Sequence, residues 1–140
     1  MGANNITQTL ELAVQAYLVS KGIDTLINVG LTKSEDAPQI IKVVCQDATN
    51  EEPYDGNWQC RLRVEVESNC DDYTEAEHKD AAAEVYESFF SATVADDLSA
   101  AYASFAAQEV IPTKQGYMLQ DRKWVSYLEV DVNCCGSDLT

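Results

Sequence analysis

Residues 58–67 read Trp-Gln-Cys-Arg-Leu-Arg-Val-Glu-Val-Glu. Trp58, Cys60, Leu62, Val64 and Val66 alternate with Gln59, Arg61, Arg63, Glu65 and Glu67, the period-two pattern of a strand with one apolar and one wet face. A slip of one residue would turn every apolar side chain to water, so the register of this strand is strongly set. Upstream, Gln39-Ile-Ile-Lys-Val-Val-Cys45 is apolar on both faces and predicts a strand covered on both sides. The turn-rich stretch 47–57, sharpest at Asp55-Gly56, joins the two strands as an antiparallel hairpin with a long loop.

Outward from this hairpin the pattern becomes helical. Ile6, Leu10, Val14, Tyr17 and Leu18 recur at helical spacing, Asn4 or Asn5 stands at the cap, and Gly22 sits where a left-handed C-terminal cap belongs. Residues 23–29 read equally as a helical extension or a short strand. Downstream, Thr74 and Glu77 have the spacing of a capping box, and Asp71, Asp72 and Glu75 complement the dipole of the helix that follows to about Phe90. Its apolar stripe is Ala82, Val85 and Phe89, with Tyr86 beside it. Thr93 and Asp96 predict the start of another helix whose apolar face runs Val94, Leu98, Ala101, Tyr102 and Phe105, with Pro112 ending that region. Residues 116–121 and 123–132 predict a closing hairpin that turns at Asp121-Arg122-Lys123, with Trp124, Leu128, Val130 and Val132 as core side chains. The whole is an α+β pattern: an antiparallel sheet of about four to five strands with two to three helices packed on one face. It forms one domain, 1–140, with an N-terminal arm over 1–5 and a C-terminal tail over 133–140.

The chain has 140 residues and a formal charge of −15, from 24 acids against nine Lys and Arg. It has no basic run, which disfavours a grip on DNA phosphates or on an anionic membrane. It also lacks the charged and apolar segments of a signal peptide and any apolar stretch of spanning length. Five cysteines without a secretory signal do not predict a disulfide framework.

Catalytic and metal motifs are missing. His78 is the single histidine, and its place between Glu77 and Lys79 in an acidic first turn predicts a partly exposed helix residue rather than a catalytic base. No phosphate-binding glycine loop and no nucleophile elbow occurs. Cys134 and Cys135 are adjacent, poor spacing for one zinc; they read as small side chains of the tail, or as an exposed pair that bonds to a neighbouring subunit outside the cell. The acidic stretches Asp47–Asp55 and Asp71–Glu77 lack the glycine of a calcium loop. Nothing selects one carboxylate pair for glycoside chemistry. No cofactor, no metal site and no enzymatic activity is expected.

The element order and certain local phrases resemble the tail-terminator and tail-completion (neck) proteins of long-tailed bacteriophages. The residues carrying the resemblance are the opening helix Ile6–Lys21 and the hairpin Ile40–Cys45 with Trp58–Glu67. The phrase Glu77-His78-Lys79 with Ala81, Ala82 and Val85, and the closing strand Trp124–Val132, complete it. The resemblance implies a virion protein assembled in the host cytoplasm as a six-membered homo-oligomeric ring. That ring would cap the tail tube protein, meet the head-connector proteins, and let DNA pass without specific binding. Six copies would carry six times the monomer's −15, enough to repel DNA across a narrow lumen. On that reading the lumen acids are Asp47, Glu51, Glu52, Asp55, Glu65 and Glu67. The contacts between subunits are heterologous, carried by Leu31, Lys33 and Glu35 in one loop and by Cys134, Cys135 and Asp138 in the tail. The competing reading is a small acidic binding module, an inhibitor, chaperone or nucleic-acid mimic, that captures a basic partner.

Overall fold

The computed structural model describes residues 3–30, 37–50, 57–102 and 105–136. The elements, in chain order, are α1 (Ala3–Ser20), β1 (Leu26–Val29), β2 (Gln39–Thr49), β3 (Trp58–Asn69), α2 (Glu75–Glu87), α3 (Val94–Ala101), β4 (Phe105–Gln120) and β5 (Lys123–Gly136). The five strands form one sheet in the order β1-β2-β3-β5-β4. The strand with the clearest alternation, β3, therefore sits at the centre, antiparallel to β2 on one side and β5 on the other. Its inward residues Cys60, Leu62, Val64 and Val66 are all buried. They meet Ile41 and Val43 of β2, and Leu128, Val130 and Val132 of β5, beneath the apolar faces of the helices.

The helices follow their local signals. Gly22 takes φ +86° at the end of α1, and the N–H of Ile23 reaches Leu18 O while that of Gly22 reaches Val19 O. These two bonds form a Schellman closure, which needs a residue without a Cβ penalty at that position. Thr74 accepts from the Glu77 N–H, and the Glu77 carboxylate accepts from the Thr74 N–H, the reciprocal capping box expected from the sequence. Tyr17 of α1 lies fully buried with its ring edge-on to Phe89 beyond α2, centroids 6.0 Å apart, and its hydroxyl donates to Ser88 O.

Several expectations need correction. Residues 23–29, open between a helical extension and a strand, hold the short strand 26–29, which runs parallel to β2 in a sheet that is otherwise antiparallel as expected. Asn4 and Asn5 lie inside α1, not before it, so an N-terminal arm over 1–5 does not describe residues 3–5. Thr93 makes no capping bond; its hydroxyl donates instead to Asp97. The helix after it ends at Ala101, Tyr102 turns extended, and Phe105 begins a 16-residue strand. Pro112 lies inside that strand, next to a register shift between Pro112 and Lys114. A proline is tolerated there because β4 is an edge strand and a bulge needs no regular ladder bond at that point. β5 continues to Gly136, so 133–136 belong to the sheet and not to a tail.

Candidate functional site

The molecule's surface is divided by charge. Helix α2 and its lead-in carry Asp71, Asp72, Glu75, Glu77, Asp80, Glu84 and Glu87, all exposed, against Lys79 alone. Lys79 is engaged with Glu75 at 3.0 Å, an i,i+4 pair on the helix surface. Asp80, Glu84 and Glu87 have no cation within ion-pair distance among the described residues. The face of the sheet turned away from the helices behaves differently. Most of its acids are paired: Lys42 with Glu67 at 2.6 Å, Arg63 with Glu65 at 2.7 Å and Glu129 at 3.6 Å, Arg61 with Asp131 at 3.7 Å. This face also buries Ile40 and Val125, which explains why both faces of β2 read as apolar.

The expected lumen acids therefore fall into two groups. Glu65 and Glu67 are mostly covered and held by cations. Asp47 is exposed at a bulge in β2, where it lines a shallow polar cavity of about 330 Å³ together with Arg61, Glu109 and Asp131. Glu51, Glu52 and Asp55 lie outside the described residues, as do Leu31, Lys33, Glu35 and Asp138 of the expected subunit interface. Cys134 is fully buried and faces inward, its sulfur 3.8 Å from that of Cys60. It cannot reach a neighbouring subunit while β5 is folded. The alternation Val130, Val132, Cys134 already pointed inward and was the signal that the strand had not ended. Cys135 points to the opposite face and is half-buried. The thiols of Cys45 and Cys60 are pushed well up, Cys45 first by its hydrogen bond with Cys60 and Cys60 first by its hydrogen bond with Cys134. Protonated thiols are neither good nucleophiles nor metal ligands, and the described residues hold no cluster of His, Cys, Asp and Glu suited to a metal ion.

His78 departs from expectation most. It is fully buried, not partly exposed. Nδ1 meets Ser68 Oγ and Nε2 meets Ser126 Oγ, both at 2.8 Å, and Gln39 Nε2 donates to Ser68 Oγ at 3.0 Å. Burial first, and the Lys79 charge second, hold the imidazole below its ordinary value. The neutral ring thus pins α2 to β3 and β5 at once. Ser126 and His78 are also a hydroxyl–imidazole pair, and Ser126 lies at the floor of a groove of about 450 Å³ between α2 and β4. Yet Ser126 is itself buried within the central ladder, flanked by Val66 and Tyr117, and it lacks the exposed turn that presents a nucleophile.

Sequence reasoning also missed the open edge formed by β4. From Thr113 to Gln120 every residue except Gly116 is exposed, including Tyr117, Met118 and Leu119. The hairpin closes on Asp121 and Arg122, both at positive φ (52° and 62°), the two-residue turn whose twist suits paired strands. On the helix side Tyr117 stacks against Trp124 and lies under Lys79. On the far side Tyr127 covers Gly116, with the Arg63 guanidinium 4.1 Å from its ring centroid. Glu11, half-way along α1, is another residue without a sequence signal: it is buried, and its carboxylate accepts from the Cys45 N–H at 2.8 Å beside the β2 bulge.

Among the described residues the fold is thus a five-stranded, mostly antiparallel sheet with three helices, bounded by two unlike edge strands, β1 and β4. No family model and no curated protein matches the sequence. Solved structures do match the fold. A chain from the virion of a native gene transfer agent particle superposes with a TM-score of 0.66, over 92% of this chain and 96% of that one, at 12% sequence identity.

Proposed function

We propose that this chain is a structural virion protein, a tail-terminator or tail-completion subunit that forms a six-membered ring. The ring caps the tail tube, joins it to the head connector and lets DNA pass; it performs no catalysis. The observation that carries the reading is the fold likeness to a virion chain, which spans nearly the whole of both proteins. Two features of the molecule support it. The charge of −15 suits a subunit beside a channel that must not hold DNA. Outer flanks of β1 and β4 that pair with no strand among the described residues suit a protein completed by its neighbours. Asp47 and the unpaired carboxylates of α2 are the better candidates for the DNA-facing surface, since Glu65 and Glu67 are held by Arg63 and Lys42.

The test is negative-stain imaging of the purified protein, alone and mixed with tail tubes. Rings, or protein located at tube ends, are the expected result. A monomer at all concentrations that never marks a tube end would sink the reading.

A further inference from the structure

The tip of the β4–β5 hairpin differs in charge from the rest of the molecule. Between Pro112 and Trp124 three cations, Lys114, Arg122 and Lys123, stand against one anion, Asp121. In a chain of net −15 this leaves everything outside the tip more negative than the whole. The tip also displays Tyr117, Met118 and Leu119 to solvent. Among the described residues its one ion pair, Arg122 with Asp71, is 3.2 Å long and joins side chains that are 81% and 73% exposed, so it holds Arg122 weakly.

The opposite edge of the sheet offers the complement. Between the segment leading into β1, strands β2 and β3, and α2 lies a small groove of about 150 Å³, with buried Ile23, Ile41, Val66 and Val85 beneath it and exposed Asp24 and Glu84 at its mouth. Both acids are exposed, and neither has a cation within ion-pair distance among the described residues. Leu26 is exposed on the adjoining strand.

The geometry points to a docking contact in which the hairpin tip of one copy enters the acid-rimmed groove of the next copy. Arg122 and Lys123 face Asp24 and Glu84, and exposed Leu119 lies against exposed Leu26 on the adjoining strand. Tip and groove stand at opposite edges of one sheet, so the contact is head-to-tail, the kind that closes a ring when the rotation allows. A second copy is the occupant favoured by charge: the chain carries a net −15 and its helix side is crowded with acids, so copies repel unless the basic tip meets an acid patch. This inference rests on the ring reading above and names its contact.

The test uses two charge-reversed variants of the full chain, Arg122→Glu with Lys123→Glu, and Asp24→Lys with Glu84→Lys. Their self-association is followed by analytical ultracentrifugation, with circular dichroism as a check on folding. Each variant alone is expected to associate about tenfold more weakly, or worse, than wild type. Mixing the two restores association, because each variant's tip then meets an oppositely charged groove. Wild-type rings with variants that associate just as well would overturn this contact and leave the ring reading standing. Variants that weaken alone but do not recover on mixing would also overturn it. A wild-type protein that neither self-associates nor marks tube ends would remove both.

Discussion

Adding a single methyl group at Gly116 would drive a Cβ into the ring of Tyr127, well inside contact distance. The ring cannot swing away freely, because Arg63 lies over it from β3 and Arg63 is itself held by Glu65 and Glu129. Gly116→Ala is therefore expected to lower stability by about 1–3 kcal/mol, read as a shift in the denaturant midpoint. Pairing it with Tyr127→Ala should relieve the clash, so the two losses sum to less than additive. His78 sets a pH dependence. The folded state holds its imidazole below the ordinary value of 6.5 through burial, so the unfolded chain takes up a proton first as pH falls. Stability contributed by the neutral ring is thus complete above that value and declines as pH drops beneath it. His78→Leu should cost about 1–3 kcal/mol near neutral pH by removing the partner of the buried Ser126 hydroxyl and leaving Ser68 with Gln39 alone. It should also flatten the stability difference between about pH 7.5 and about pH 5.5 relative to wild type. An equally steep profile in the variant would place the titration elsewhere. None of this was legible in the local sequence. The partners of His78, Ser68 and Ser126, are 10 and 48 residues away in the chain, and an acidic first turn hides the fact that this one position faces inward.

Among the elements, those with short-range signals were readable. The capping box of α2 formed as its spacing required. Thr74→Ala is expected to cost about 1 kcal/mol, measured by thermal or denaturant unfolding, and Glu77→Ala should add little once Thr74 is gone. The central strand formed where ten alternating residues demanded it. The end of the long edge strand β4 was legible as the first arm of the closing hairpin over 116–121, but its stretch from Phe105 to Gln115 was hidden for the opposite reason. Ala106, Ala107 and Pro112 do not favour a strand, and two register shifts break its alternation. It is held in place by pairing with β5 along nearly its full length, a non-local cause that no window of sequence contains. The parallel strand β1 was ambiguous for a similar reason: four residues are too few to separate the two periodicities.

At the scale of the whole molecule, the acid excess has a stability consequence. Most of the sheet's outer acids are paired, whereas those of α2 are crowded along one helix. Repulsion among them weakens the compact state and is screened by salt. Raising ionic strength from about 0.01 M to about 0.15 M should therefore lift Tm by a few degrees, equivalent to about 1 kcal/mol. A Tm insensitive to salt would mean that the carboxylates of α2 are already neutralised by their surroundings. The class of fold was legible at this scale, since the order of elements and their lengths were enough to specify an α+β sheet covered by helices. The site was much less so. Tip and groove are brought to opposite edges only by the strand order β1-β2-β3-β5-β4.

That strand order also dictates a sequence of events during synthesis. As the chain emerges, β3 can pair at once with β2, which precedes it, but its other flank stays open until β5 is made, because Asn69 waits for Lys123 and Trp58 for Cys134. Through all the intervening residues the central strand, with its buried apolar face, is a nascent edge, and α2 has no β5 to lie on. Folding is thus gated by the synthesis of β5. A ribosome that stalls before it would release a chain inclined to stick rather than one that folds in part.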